Sequence, residues 1–202
     1  MKHMVITIGC EYGSGGAEIG KMLAEKYNIP YYDRDLVDEV VDKTGVERSK
    51  VEKADQSMSK MRYKIETKFG TRYANLIDTM FSIQYEAIQN IANKSSCVII
   101  GRCSDYILKE REDCLRIFIY APLDVRITTV MEKEGLTERA ALEKIKETDD
   151  ALHARYKYMT GTYRGDRNNR QILIDSSMLG WEKTFGVGTH SVYTFWTTYP
   201  EV

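Results

Sequence analysis

A chain of 202 residues with 43% apolar and 29% charged side chains is sized for one globular domain and excludes a disordered one. Lysine plus arginine number 29 against 30 acids, and a net charge of -1 argues against a general polyanion binder, so no nucleic-acid partner is expected. No apolar run approaches the roughly 18 residues of a membrane span, which leaves no membrane partner expected.

Val5-Ile6-Thr7-Ile8 is short, apolar and β-branched, as a strand buried on both faces should be. Nothing before it has the apolar stretch of a signal peptide, so a cytoplasmic protein is expected. Glycines follow at 9, 13, 15 and 16, and Ile19, Met22, Leu23 and Tyr27 then recur on one helical face. Pro30 ends that helix, Tyr31-Tyr32 is a second short strand, and a helix is expected from about residue 35 to 43. Residues 47–94 are charged and lack strand signals, although Leu76, Met80, Ile83, Ala87 and Ile91 give the second half a helical stripe. The basic stretch from Lys60 to Lys68 reads as a solvated helical face in preference to a binding patch.

Cys97–Ile100 and Leu115–Tyr120 are the next strands, followed by helices over about 124–133 and 137–156, with Thr137 placed as an N-cap. Met159 to Arg170 is polar and glycine-bearing, the mark of a mobile loop, and Ile172-Leu173-Ile174 is a last strand. Beyond Phe185 the chain is rich in threonine and aromatics with little helical periodicity, which predicts an extra strand or an irregular tail. Cys10, Cys97, Cys103 and Cys114 have no C-x-x-C spacing, so neither a zinc site nor a disulfide framework is expected. The three histidines are too scattered for a metal site or a triad.

Strand, glycine loop and helix in that order suit phosphate binding, because backbone N–H groups at a helix N-terminus reach phosphate oxygens only where no side chain intervenes. Two loop types compete. Gly13-Ser14-Gly15 begins the dinucleotide fingerprint G-x-G-x-x-G/A, and Asp33 lies where a ribose-binding acid would, but Glu18 stands at the third small position. The P-loop pattern shares Gly-Ser-Gly, yet Gly16 replaces its lysine and Ala17 its Ser or Thr. Asp33 and Asp105 each read equally well as helix caps, and Arg126 and Arg155 as ordinary surface arginines.

The segment VITIGCEYGSGGAEIGKMLAEK (Val5–Lys26) with Ile29-Pro30-Tyr31-Tyr32-Asp33-Arg34 resembles the opening of the cytidylate kinase-like family, P-loop relatives of nucleoside monophosphate kinases. The likeness continues collinearly through Val98–Arg102 with Asp105, Ile117–Leu123 with Arg126, Tyr156–Gly161 and Asp175–Gly180. It implies an α/β protein with a three-layer α/β/α P-loop NTPase-like fold, a central parallel sheet and a helical lid. The domain would span 1–184, with a helical acceptor-binding region at about 35–95, a lid at about 153–171, and an atypical tail over 185–202. Gly13, Ser14, Gly15, Gly16, Ala17 and Glu18 would cradle the phosphates of ATP, with Mg2+ carried by the nucleotide. Asp33, Arg34, Arg102 and Asp105 would face the acceptor, CMP by default, and Arg102, Arg126 and Arg155 would act on the transferring group.

Members of that family often carry basic residues near the positions of Cys10, Ala17, Thr129 and Leu152, all uncharged here. One missing preorganised donor lowers turnover by about 10²–10³. The resemblance therefore also admits a weak or inactive nucleotide-binding regulatory protein, and the glycine loop alone a dinucleotide-dependent oxidoreductase. The residues from 47 to 94 leave room for a homo-oligomer interface.

Overall fold

The computed structural model describes residues 3–33 and 70–198. In chain order these hold β1 (Val5–Cys10), α1 (Gly16–Tyr27), β2 (Tyr31–Tyr32), α2 (Gly70–Lys94), β3 (Cys97–Ile100), α3 (Ser104–Ile107), β4 (Cys114–Tyr120), α4 (Leu123–Glu134), α5 (Glu138–Thr160), a 3-10 turn (Arg167–Asn169), β5 (Ile172–Asp175) and α6 (Gly180–Thr198). The expected helix at 35–43, the basic stretch 60–68 and Arg34 lie outside the described residues.

The five strands form one sheet in the order β2-β3-β1-β4-β5, every pair parallel. Ile6 of β1 stands opposite Val98 of β3 and Leu115 of β4. Alternate side chains divide between two cores. Ile6, Ile8, Val98, Ile100, Leu115, Ile117 and Ile119 meet Ile19 and Leu23 of α1 and Val192 of α6. Val5, Cys97, Ile99 and Cys114 meet Ala87, Ile88 and Ala92 of α2. Buried on both faces, the strands read as continuous apolar runs, as parallel strands do. This is the three-layer α/β/α arrangement the sequence implies.

The order also removes the oxidoreductase reading. A dinucleotide fold sets β2 directly beside β1. Here β3 intervenes between the two.

Local signals explain most helix ends. Asn28 closes α1 in the left-handed region (φ 51°), its N–H reaching the carbonyls of Ala24 and Glu25. Thr137 caps α5 by accepting from the N–H of Ala140 at 3.4 Å, and Gly161 (φ 71°) ends it. Helix α5 runs to Thr160, so the connection expected from Met159 starts later.

The C-terminal segment departs from expectation. Residues 180–198 are neither a strand nor an irregular tail but helix α6, which lies along α1. Tyr27 donates its hydroxyl to the carbonyl of Thr189 at 3.0 Å, and a Cβ at Gly188 would sit 3.6 Å from Leu23. Trp181, Phe185 and Phe195 join Val192 against the sheet.

Candidate active site

Because every strand runs the same way, the turns that follow β1, β3, β4 and β5 open at one edge of the sheet, where such folds place ligands. After β1 the chain enters the glycine loop, with Gly13 (φ 83°) and Gly15 (φ 79°) in the left-handed region. A side chain at Gly15 would run into the indole of Trp181, and one at Gly16 into Cys10. The first helical bond of α1 runs from the Ile19 N–H to the Gly15 carbonyl at 3.0 Å. The N–H groups of Gly16, Ala17 and Glu18 therefore have no intrahelical carbonyl, and the helix dipole adds positive potential where they point. Backbone supplies this site. The Ser14 hydroxyl turns inward to the Glu11 carbonyl (2.8 Å), while the Glu18 carboxylate pairs with Lys133 on α4.

The loop is fastened from several sides. Ser176, after β5, donates its hydroxyl to the Ser14 carbonyl at 2.7 Å. Tyr12 packs among Val130, Ala141 and Ile145 between α4 and α5, and its hydroxyl donates to Glu134. Asp149 on α5 accepts the Tyr12 N–H at 3.0 Å, Nη1 of Arg126 at 2.5 Å and Nη1 of Arg164 at 3.3 Å. Arg126 also donates to the carbonyls of Ala121 and Tyr12 and lies 3.4 Å from Glu11. Expected at the transferring group, Arg126 is instead buried against the loop, held by two carboxylates.

Beside the loop opens a cleft of about 230 Å³ that gathers Asp33, Arg102, Asp105, Arg155, Tyr156, Arg164 and Arg170 around Cys10 and Tyr12. Arg102 follows β3 in a turn where Gly101, Arg102 and Cys103 have φ of 63°, 55° and 56°. Burial lowers the Arg102 pKa from the ordinary arginine value, and the Asp33 carboxylate opposes that shift. Arg155 on α5 donates Nη2 to Oε1 of Gln84 on α2 at 2.5 Å, and burial pulls its guanidinium down to about 10, so it stays charged at neutral pH. Burial likewise pushes the Cys10 thiol up to about 11, against the pull of Arg164, so the loop contributes no thiolate.

Arg102, Arg155, Asp33 and Asp105 all line this cleft. Asp105 caps nothing: its carboxylate accepts Nη2 of Arg170 at 2.5 Å and the Tyr156 hydroxyl at 2.9 Å. Arg164 and Arg170 were not anticipated. Arg164 donates to the Cys10 carbonyl and separates the cleft from a second hollow of about 500 Å³ over Phe118 and Tyr120. The available signal was three arginines in seven residues, Arg164, Arg167 and Arg170, in a stretch otherwise poor in charge pairs. Among the described residues no group of three His, Cys, Asp or Glu side chains is arranged to hold a metal ion, and no helix is long and apolar enough to cross a membrane.

Comparison with known proteins accords with this architecture. A cytidylate kinase of Methanocaldococcus jannaschii is 25% identical over 192 residues, which cover 94% of this chain and 97% of that one. The crystal structure of an uncharacterized protein from Eubacterium ventriosum superposes with a TM-score of 0.73 at 29% identity, over 96% of this chain and 99% of that one. The shikimate kinase of Bacteroides thetaiotaomicron, at 11% identity and TM-score 0.53 over 94% of this chain and 98% of its own, shares the fold. The model of the Cytidylate kinase-like family matches residues 5–178, and on that extent the chain belongs to this family.

Proposed function

We propose that the protein is a nucleoside monophosphate kinase that moves the γ-phosphoryl group of ATP to a monophosphate acceptor, CMP being the acceptor its relatives suggest. The observation that carries this reading is the gathering of Arg102, Arg155, Arg164 and Arg170 in one cleft beside the glycine loop. Phosphoryl transfer asks a protein for positioning and concentrated positive charge and for little covalent chemistry.

In this reading the N–H groups of residues 15–18 hold the donor phosphates. An oxygen of the acceptor phosphate attacks the γ-phosphorus while the bond to the β,γ-bridging oxygen breaks, giving ADP and a nucleoside diphosphate. Mg2+ would enter as part of the ATP complex, carried by the nucleotide phosphates. Arg102 and Arg155 face the acceptor, and Arg164 stands between loop and cleft. Residues 35–95 would complete the acceptor side and 153–171 would close over it, excluding water.

The test is ADP formation with Mg-ATP and a panel of CMP, UMP, AMP and GMP. Turnover should require an acceptor and be fastest with CMP. Arg102→Ala should lower kcat/KM for the acceptor by on the order of 10²-fold. A second reading, nucleotide binding with little transfer, is favoured by the capture of Arg126 by Asp149 and Glu11 and by the uncharged Cys10, Gly16, Ala17, Thr129 and Leu152. ATP that raises the melting temperature without supporting turnover of any acceptor would establish it.

A further inference from the structure

The turn after β3 has an unusual backbone. Gly101, Arg102 and Cys103 occupy the left-handed region in succession, and two of the three carry side chains, which take that region reluctantly. Such a conformation persists only where its surroundings over-determine it. Local bonds supply part of the constraint: the Ser104 N–H and hydroxyl both reach the Gly101 carbonyl, at 2.9 and 2.7 Å. The Gly101 N–H also reaches the Ile8 carbonyl at 2.9 Å, and the Cys103 carbonyl accepts the N–H groups of Tyr106 and Ile107 at 3.0 and 2.9 Å; Asp105 lies two residues beyond the turn.

Asp105 is held from outside its own segment. Oδ2 accepts Nη2 of Arg170, just ahead of β5, and the hydroxyl of Tyr156 on α5. The ion pair is almost sealed, with side chains 1% and 5% exposed, and the Arg170 guanidinium lies over the rings of Phe118 and Tyr156 at 5.0 and 5.4 Å. Nη1 of Arg170 is anchored in turn on the Asp166 carbonyl at 2.9 Å. The carboxylate thus ties α5 and the segment ahead of β5 to α3, immediately behind the arginine that enters the cleft.

We propose that Asp105 is a positioning residue that fixes the Gly101–Cys103 turn, and with it Arg102, through Arg170 and Tyr156, and that it does not itself contact the acceptor. The proposal rests on the acceptor reading of the cleft given above. It separates two roles that the sequence alone merged, since Arg102 and Asp105 both line the same space.

A double-mutant cycle distinguishes the alternatives. Asp105→Asn keeps an oxygen for Tyr156 and leaves Arg170 without its counter-charge. CMP binding, measured by titration calorimetry on the full chain, should weaken about 10-fold while ATP binding is unchanged. Glycine takes the left-handed conformation freely, so in a Cys103→Gly background the same substitution should weaken CMP binding by no more than about 3-fold. An equal loss in both backgrounds means that Asp105 touches the acceptor directly and overturns the proposal, as does unchanged binding by Asp105→Asn. Tyr156→Phe removes a single hydroxyl, keeps the ion pair, and should show the same pattern at smaller size should Asp105→Asn fail to fold.

Amide exchange in the ligand-free protein tests the positioning role apart from the acceptor. Residues 102–105 should exchange about 10-fold faster in Asp105→Asn or Tyr156→Phe, with α1 unaffected. Equal exchange in all variants overturns the proposal. A wild-type protein that binds none of the four monophosphates instead overturns the acceptor reading and leaves the exchange result to decide the role of Asp105.

Discussion

Gly15 concentrates the demands that the site makes on single residues. Its φ of 79° excludes an unstrained side chain, and the Trp181 indole occupies the space a Cβ would need. Gly15→Ala should destabilise the fold by roughly 1–3 kcal/mol in denaturant titrations, and weaken ATP binding, because the loop must move to admit the methyl group. Glycine spacing made this loop legible in the sequence, since few other roles call for four glycines in eight residues. The arginines were harder. Arg126 and Arg155 both lie on charged helices and look alike in the sequence, yet Asp149 draws Arg126 against the loop while Gln84 holds Arg155 in the cleft. Partners from distant parts of the chain decide which arginine faces a ligand, and spacing along one helix carries no record of them. The same holds for Arg170, whose counter-ion lies 65 residues away.

Among the elements, the strands were plain because burial on both faces leaves unbroken apolar runs. Helix α6 was not. Its glycines at 180, 186 and 188 and its many threonines and aromatics all have low helix propensity. Yet Trp181, Phe185, Gly188, Val192 and Phe195 recur at intervals of four and three, with Gly188 as the member that lets α1 approach. The threonines and aromatics between these positions hid the period, and tertiary burial overrode propensity. Val192 is fully buried between α6 and the sheet. Val192→Ala should therefore cost about 2 kcal/mol and lower the melting temperature by roughly 4–8 °C, which calorimetry can check. The same change on the exposed Tyr193 should have little effect.

For the whole molecule, the near-neutral charge total conceals a sorted interior. Burial raises every cysteine thiol above its ordinary value of 9.0, Cys10 to about 11 and Cys97, Cys103 and Cys114 to about 12. Burial shifts Tyr12, Tyr27, Tyr31 and Tyr156 in the same direction. Between pH 9 and 12 the unfolded chain releases protons that the folded chain retains, so stability is full below pH 9 and declines as pH rises. Arg155, lowered to about 10, and Arg102, also lowered by burial, act in the opposite sense, but they are two groups against these eight. Melting temperatures should fall steadily from pH 8.5 to pH 11, and a flat profile would contradict the burial of these groups.

The indole that leaves Gly15 no room for a side chain also makes the loop visible. The chain has two tryptophans, and Trp181 sits against the backbone where donor phosphates would dock. With Trp196→Phe removing the other tryptophan, tryptophan-selective fluorescence would report on this loop, without an attached dye. A ligand that reorganises the loop would shift the emission, and its rate of arrival could then be followed in stopped flow.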